Sequence, residues 1–169
     1  MNKKSLLTKC FFLALFLISP IFANDSFHLN LPKEWKKISD ASQLPNKVVA
    51  LYVGKKRGQF TPSVNLARET TELDGAAYAK LAKNYHENLP DTTCRPLGHI
   101  EIAENVTNLL QIDKETAWGG LRFLQATLVS NGTAYVITAT AQVSEYASLY
   151  PLFYEAIKTF HPPTSSDKQ

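Results

Sequence analysis

Residues 121–130 and 133–142 alternate in polarity on either side of Asn131-Gly132. An Asn-Gly pair between apolar runs favours a two-residue type I′ turn, which needs positive φ at both positions. The turn sets the register. Ser130 then faces Thr133, Leu128 faces Tyr135, Ala126 faces Ile137 and Leu124 faces Ala139, so one side of this hairpin is almost wholly apolar and must be covered. The other side pairs Val129 with Ala134, Thr127 with Val136, Gln125 with Thr138, Phe123 with Thr140 and Leu121 with Gln142. Such a mixture suits water, a helix or a partner.

Upstream, Phe27, Leu29 and Leu31 alternate with polar residues and predict a short strand stopped by Pro32. Residues 35–39 predict a second. In residues 47–56, Val48, Ala50 and Tyr52 oppose Val49, Leu51 and Val53, and two apolar faces predict a central place in the sheet. A turn flanked by Gly54 and Gly58 leads to a strand opened by Pro62. Asp74 then caps a helix whose stripe of Tyr78, Leu81, Ala82, Tyr85 and Leu89 packs on the sheet, with Pro90 as its stop. Residues 94–106 and 107–118 read as two more strands, and Gly119-Gly120 as a bulge or tight turn.

The last apolar stripe, Tyr146, Leu149, Tyr150, Phe153, Tyr154, Ile157 and Phe160, predicts a helix over the face of Leu124, Leu128, Tyr135 and Ile137. Pro151 would cost about 3 kcal/mol in a helix interior, so the pattern places the main start near it. Residues 144–150, with Ser144 as a cap, become a separate turn or kinked lead-in. Strands, a helix, strands and a helix give an α+β class with a mainly antiparallel β-sheet packed with helices.

The amino terminus changes the picture of location. Residues 1–9 hold Lys3, Lys4 and Lys9 without an acid, and fourteen apolar residues follow from Cys10 to Ala23. This run is shorter than the roughly 20 residues that span a bilayer and ends in a cleavage-site pattern, so residues 1–23 read as a signal peptide cut after Ala23. An uncleaved anchor is the alternative. Cys10 precedes the apolar run, which argues against a lipid anchor. Residues 24–161 then form a single domain, 162–169 a disordered tail, and the protein is exported, periplasmic or secreted.

Cleavage removes three of the 18 Lys and Arg, leaving 15 against 15 Asp and Glu. The sequence pI near 8.8 belongs to the precursor, so it argues for neither a nucleic-acid nor an anionic-membrane partner, and no stable membrane insertion is expected after cleavage. Cys94 alone survives, so no internal disulfide is expected, and its thiol reads as a small packed group.

Candidate chemistry is sparse. His28, His86, His99 and His161 show no metal spacing; His99 and Glu101 share a strand face without a third ligand, and His86-Glu87 are adjacent. No Gly-x-Ser-x-Gly, phosphate loop, dinucleotide fingerprint or Cys-x-x-Cys occurs. The expectation is therefore no catalytic residue, no metal and no cofactor. Lys55-Lys56-Arg57, joined by Lys33, Lys36 and Lys37, suggests a positive rim, although charge at a turn tip first keeps edges soluble. Sequons begin at Asn24, Asn105 and Asn131, the last of which reads first as turn chemistry. Trp118 is the aromatic best placed for exposure, with core packing as the alternative. It joins Phe123, Gln125, Thr138 and Thr140 of the mixed face as the candidate binding set.

Three stretches carry a resemblance: "FHLNLPKEW", "TPSVNLARETTELDGAAYAKLAKNYHENL", and "GTAYVITATAQ" followed by "LFYEAIKTF". Together they resemble the PsbP-like superfamily, which includes photosystem accessory proteins, a Ran-binding nuclear import factor and uncharacterised exported bacterial proteins. The resemblance implies an antiparallel sheet between helices, an α/β/α sandwich, and a binding or assembly role without catalysis. The expected function is an exported accessory module that meets a protein partner through a sheet face or its rim. The alternative is a small-molecule or lipid carrier with a cavity between sheet and helix.

Overall fold

The computed structural model describes residues 27, 29–38 and 40–163; the expected signal peptide and residues 164–169 of the expected tail lie outside them. Among the described residues, the strands are β1 (Lys36–Lys37), β2 (Val48–Val53), β3 (Ser63–Thr70), β4 (Thr92–Ile102), β5 (Asn105–Thr116), β6 (Gly119–Ser130) and β7 (Thr133–Gln142). They form one antiparallel sheet in the order β1-β2-β3-β7-β6-β5-β4. Helix α1 (Gly75–Glu87) carries the chain from β3 to the far edge, and a meander of four strands returns β7 to β3's side. Helix α2 (Val143–Lys158) follows. The architecture is α+β, with the helices on opposite faces.

The β6–β7 hairpin has the register its turn dictates, in every pair from Ser130–Thr133 to Leu121–Gln142. Asn131 and Gly132 take φ of 49° and 70°. On the apolar side, Leu124, Leu128, Tyr135 and Ile137 join Val64 and Leu66 of β3 beneath Tyr146, Leu149, Phe153 and Ile157 of α2. Phe160 meets the Tyr135 ring at 5.6 Å, and the Trp35 ring stands edge-on to Phe153 at 6.2 Å. Trp35 also presses on Gly54, where a Cβ would lie 2.8 Å from the indole. Only glycine fits there.

Three expectations are corrected. Helix α2 runs unbroken through Pro151, and its N-cap is Gln142 without a side-chain bond instead of Ser144. Pro151 faces solvent while Tyr146 and Leu149 before it and Phe153 and Ile157 after it share one core, so packing on both sides of the proline outweighs the lost bond. Phe27 and Leu29–Leu31 are not in a strand: Leu29 is core, and the Asn30 N–H donates to Thr159 Oγ1 at 3.3 Å instead of a sheet neighbour. Strand β2 lies next to the sheet's border, beside the two-residue β1. A register shift between Val48 and Ala50 sends these two residues to opposite faces.

The other border is β4, eleven residues long. Its pairing slips between Pro96 and Gly98, and Pro96 has no N–H to offer.

Candidate functional site

Helix α1 starts where Asp74 Oδ1 accepts the Ala77 N–H at 2.7 Å. It crosses the mixed face of the sheet above β4, β5 and β6. Only Tyr78 and Ala79 are buried; Leu81 is 53% exposed and Tyr85 40%. The expectation that the whole apolar stripe packs on the sheet is corrected. The helix sits too far toward β4 for its outer apolar flank to reach β2 and β3.

That offset leaves a groove of about 330 Å³ between α1 and the sheet. Val48 of β2, Ala67 of β3 and Val136 of β7 make its floor, and Leu81, Ala82 and Tyr85 its helical wall. The segment Pro45, Asn46 and Lys47 bounds the far side. Floor residues from three strands share one face because Val48 pairs with Ala67 and Ala67 with Val136.

Polar groups gather in two sets. In the first, Glu69 pairs with the Lys47 ammonium and accepts a 2.5 Å hydrogen bond from Tyr78 Oη. Burial opposes ionisation of Glu69, but the Lys47 and Tyr78 hydrogen bonds outweigh it and hold the carboxyl below its ordinary pKa. Burial, followed by the Glu69 contact, pushes the Tyr78 phenol up. In the second set, His86 Nε2 lies 3.0 Å from Gln125 Oε1, and Gln125 Nε2 donates to Thr138 Oγ1 at 3.0 Å. An amide so oriented fixes His86 as the donor through Nε2. Burial pulls the His86 pKa down, against the Gln125 bond and with help from Lys114. The lining is thus apolar, with its carboxylate neutralised in place and its imidazole held towards the uncharged form.

Of the predicted binding residues, Phe123, Gln125, Thr138 and Thr140 come together as two neighbouring cross-strand pairs on one face of β6 and β7. Trp118 is 58% exposed on the β5–β6 turn. Phe123 and Thr140 pair with one another, as do Gln125 and Thr138. Gln125 and Thr140 are only 7% and 5% exposed, while Phe123 and Thr138 are half-buried. Gln125 alone of the five lines the groove. Val48, Ala67 and Val136 of the floor and the polar Glu69 are lining residues that the sequence pattern does not single out. Their signal lay in the breadth of the α1 stripe, which exceeds what one edge of contact can cover.

Beyond α1, toward β5, a second depression of about 340 Å³ is lined by polar groups including His99, Asn105, Thr107 and Asn108. Among the described residues no three His, Cys, Asp or Glu side chains gather as a metal site, and no helix is long and apolar enough to cross a membrane. Cys94 is half-buried, and burial raises its pKa, which keeps the thiol protonated.

The sequence matches no protein-family profile and no curated protein. Solved structures do match. LpqN of Mycobacterium tuberculosis, involved in cell envelope biogenesis, superposes with a TM-score of 0.60 at 18% identity, over 83% of this chain and 86% of that one. The Ran-binding protein Mog1p of Saccharomyces cerevisiae gives 0.58 at 16% identity, over 86% and 99%. The cyanobacterial PsbP of Synechocystis sp. PCC 6803 gives 0.56 at 9% identity, over 88% and 98%. With its seven-stranded antiparallel sheet between two helices, the chain has the PsbP-like fold.

Proposed function

We propose that this protein is an exported, non-catalytic binding module whose seat is the groove beneath α1, and that its occupant is an apolar small molecule or a single lipid chain. One observation carries the reading: Leu81 and Tyr85 stand exposed above a floor of Val48, Ala67 and Val136, an apolar cleft left open at an energetic cost. Its volume falls within the range of ligand sites, about 300–1,000 Å³, and its few polar groups are confined to two sets that can orient a ligand. Structures of the same fold include a Ran-binding protein and one involved in cell envelope biogenesis, which supports binding over catalysis. Export rests on residues 1–23. A protein partner that inserts an apolar side chain is the second reading, favoured by the outward exposure of Leu81.

Native mass spectrometry of protein purified from its host tests the first reading. A bound mass is expected on the wild type and should be lost in Ala82→Phe, which fills the groove from its wall. A clean unliganded mass, with no uptake of an environment-sensitive apolar dye, would refute it. Capture of a protein that Leu81→Lys releases, without any bound small molecule, would favour the second.

A further inference from the structure

At the opposite end of β2 from the groove, the loop after β2 and the β5–β6 turn meet at Gln142, the last residue of β7. Gln142 Nε2 donates to the Trp118 carbonyl at 3.0 Å, while its Oε1 lies 3.0 Å from where a Cβ on Gly58 would stand. Gly58 has φ of +56°, and the Arg57 N–H donates to Phe60 O at 3.3 Å, closing the loop tip. One amide thus lies against Gly58, directly after Lys55-Lys56-Arg57, and bonds the Trp118 backbone, bringing the two turns close to one another.

What this places together is unusual for a soluble surface. Lys55, Lys56 and Arg57 are all exposed, and among the described residues none is in an ion pair; Arg57 Nη1 reaches only Ser148 Oγ, at 3.5 Å. Next to them the Trp118 indole is 58% exposed and Val143 is 43% exposed. Lys36, opposite Val53 on β1, extends the basic rim. Of the nearby acids, Glu34 lies exposed on the turn before β1, Glu115 is exposed with its carboxylate against Gly120 of the paired strand, and Glu145, in the first turn of α2 after Val143, is half-buried.

We propose that this rim, Trp118 and Val143 flanked by Lys55, Lys56 and Arg57, is a docking surface for an anionic lipid bilayer. An indole with one apolar and one hydrogen-bonding edge partitions to headgroup depth, and unpaired Lys and Arg beside it gain from a negatively charged leaflet. Charge complementarity selects this occupant. Balanced overall charge after cleavage leaves little long-range attraction, so binding is a contact effect within a Debye length and is sensitive to salt. Docking here would leave the groove, at the other end of β2, facing away from the membrane.

Protein purified from its host is mixed with vesicles of phosphatidylcholine alone or with added phosphatidylglycerol, then pelleted. Preferential pelleting with the anionic vesicles, released by about 0.5 M salt, is expected. Lys55→Gln, Lys56→Gln and Arg57→Gln together should weaken it on the order of 100-fold, from about 1 kcal/mol per charge. Trp118→Ala should weaken it about tenfold, and Lys55→Arg with Lys56→Arg should preserve it. Unchanged thermal midpoints certify that the variants fold. Equal retention on both vesicles, or undiminished binding of the triple variant, overturns the proposal. So does pelleting with neither while soluble polyglutamate is bound, an outcome that assigns the rim to an acidic protein.

Discussion

Thr138 is the residue where an open face and a covered face make opposite predictions. An open face would make its replacement nearly free. In the structure Thr138 Oγ1 accepts the Gln125 amide, which is buried and whose oxygen is bonded to His86. Thr138→Val keeps the β-branch and the strand preference while deleting the acceptor, so the Gln125 amide is left one bond short where water has little access. A buried donor deprived of its partner costs about 1–3 kcal/mol. Because Thr138 is itself half-buried, water can replace part of the bond, which places the expected loss at about 1–2 kcal/mol. Urea unfolding should show a lower midpoint at an unchanged slope. The thermal midpoint should fall by about 2–4 °C per kcal/mol. Adding Gln125→Leu should not add its own full cost, because both variants break the same bond, and a coupling of about 1 kcal/mol is expected. A Thr138→Val midpoint within about 0.5 kcal/mol of wild type would refute the relay.

Three further outcomes follow from the same geometry. Ile137→Ala, fully buried under α2, should lose about 2–5 kcal/mol in denaturant unfolding, and a loss below about 1 kcal/mol would contradict its central position. Glu69 ionises more readily in the folded state, so its contribution is present above the ordinary value of 4.5 and is lost as pH falls through the lowered one. Glu69→Gln should flatten that acid limb, and superimposable pH–stability curves would speak against the ion pair. Protonation of His86 is disfavoured on folding, so its contribution is full above 6.5 and declines as pH falls toward the lower folded value. An NMR titration of its ring should give a midpoint below 6.5; one at or above that value would exclude burial as the dominant influence.

The hairpin register was legible because Asn131-Gly132 admits one turn type and period-two alternation tolerates no slip. The α1 cap was legible for a similar local reason, at Asp74. What escaped depended on distance in the chain. Alternation at Phe27, Leu29 and Leu31 records contact with the core near the end of α2, a pattern indistinguishable in sequence from strand pairing. Continuity of α2 through Pro151 is decided by a sheet whose nearest strand supplies only part of the core. The groove was the least legible, because the stripe on α1 reports which residues are apolar but not how far the helix is displaced toward β4. Of the candidate residues, Trp118 was exposed for the reason given, its place beside two glycines on a turn, whereas Thr140 faces inward beside Phe123.

The slipped pairing at Pro96 and the two-residue β1 bear on how such a protein can diverge. Both borders are poor templates for a foreign strand, so the recognition proposed above falls to side chains on α1 and the connecting loops. Side chains can be exchanged without disturbing backbone pairing, so specificity and scaffold are free to change at different rates. Chains that share this scaffold at 9–18% identity fit that separation. An engineer could use the same freedom, rewriting Leu81, Ala82 and Tyr85 to reshape the groove while leaving the β6–β7 hairpin untouched.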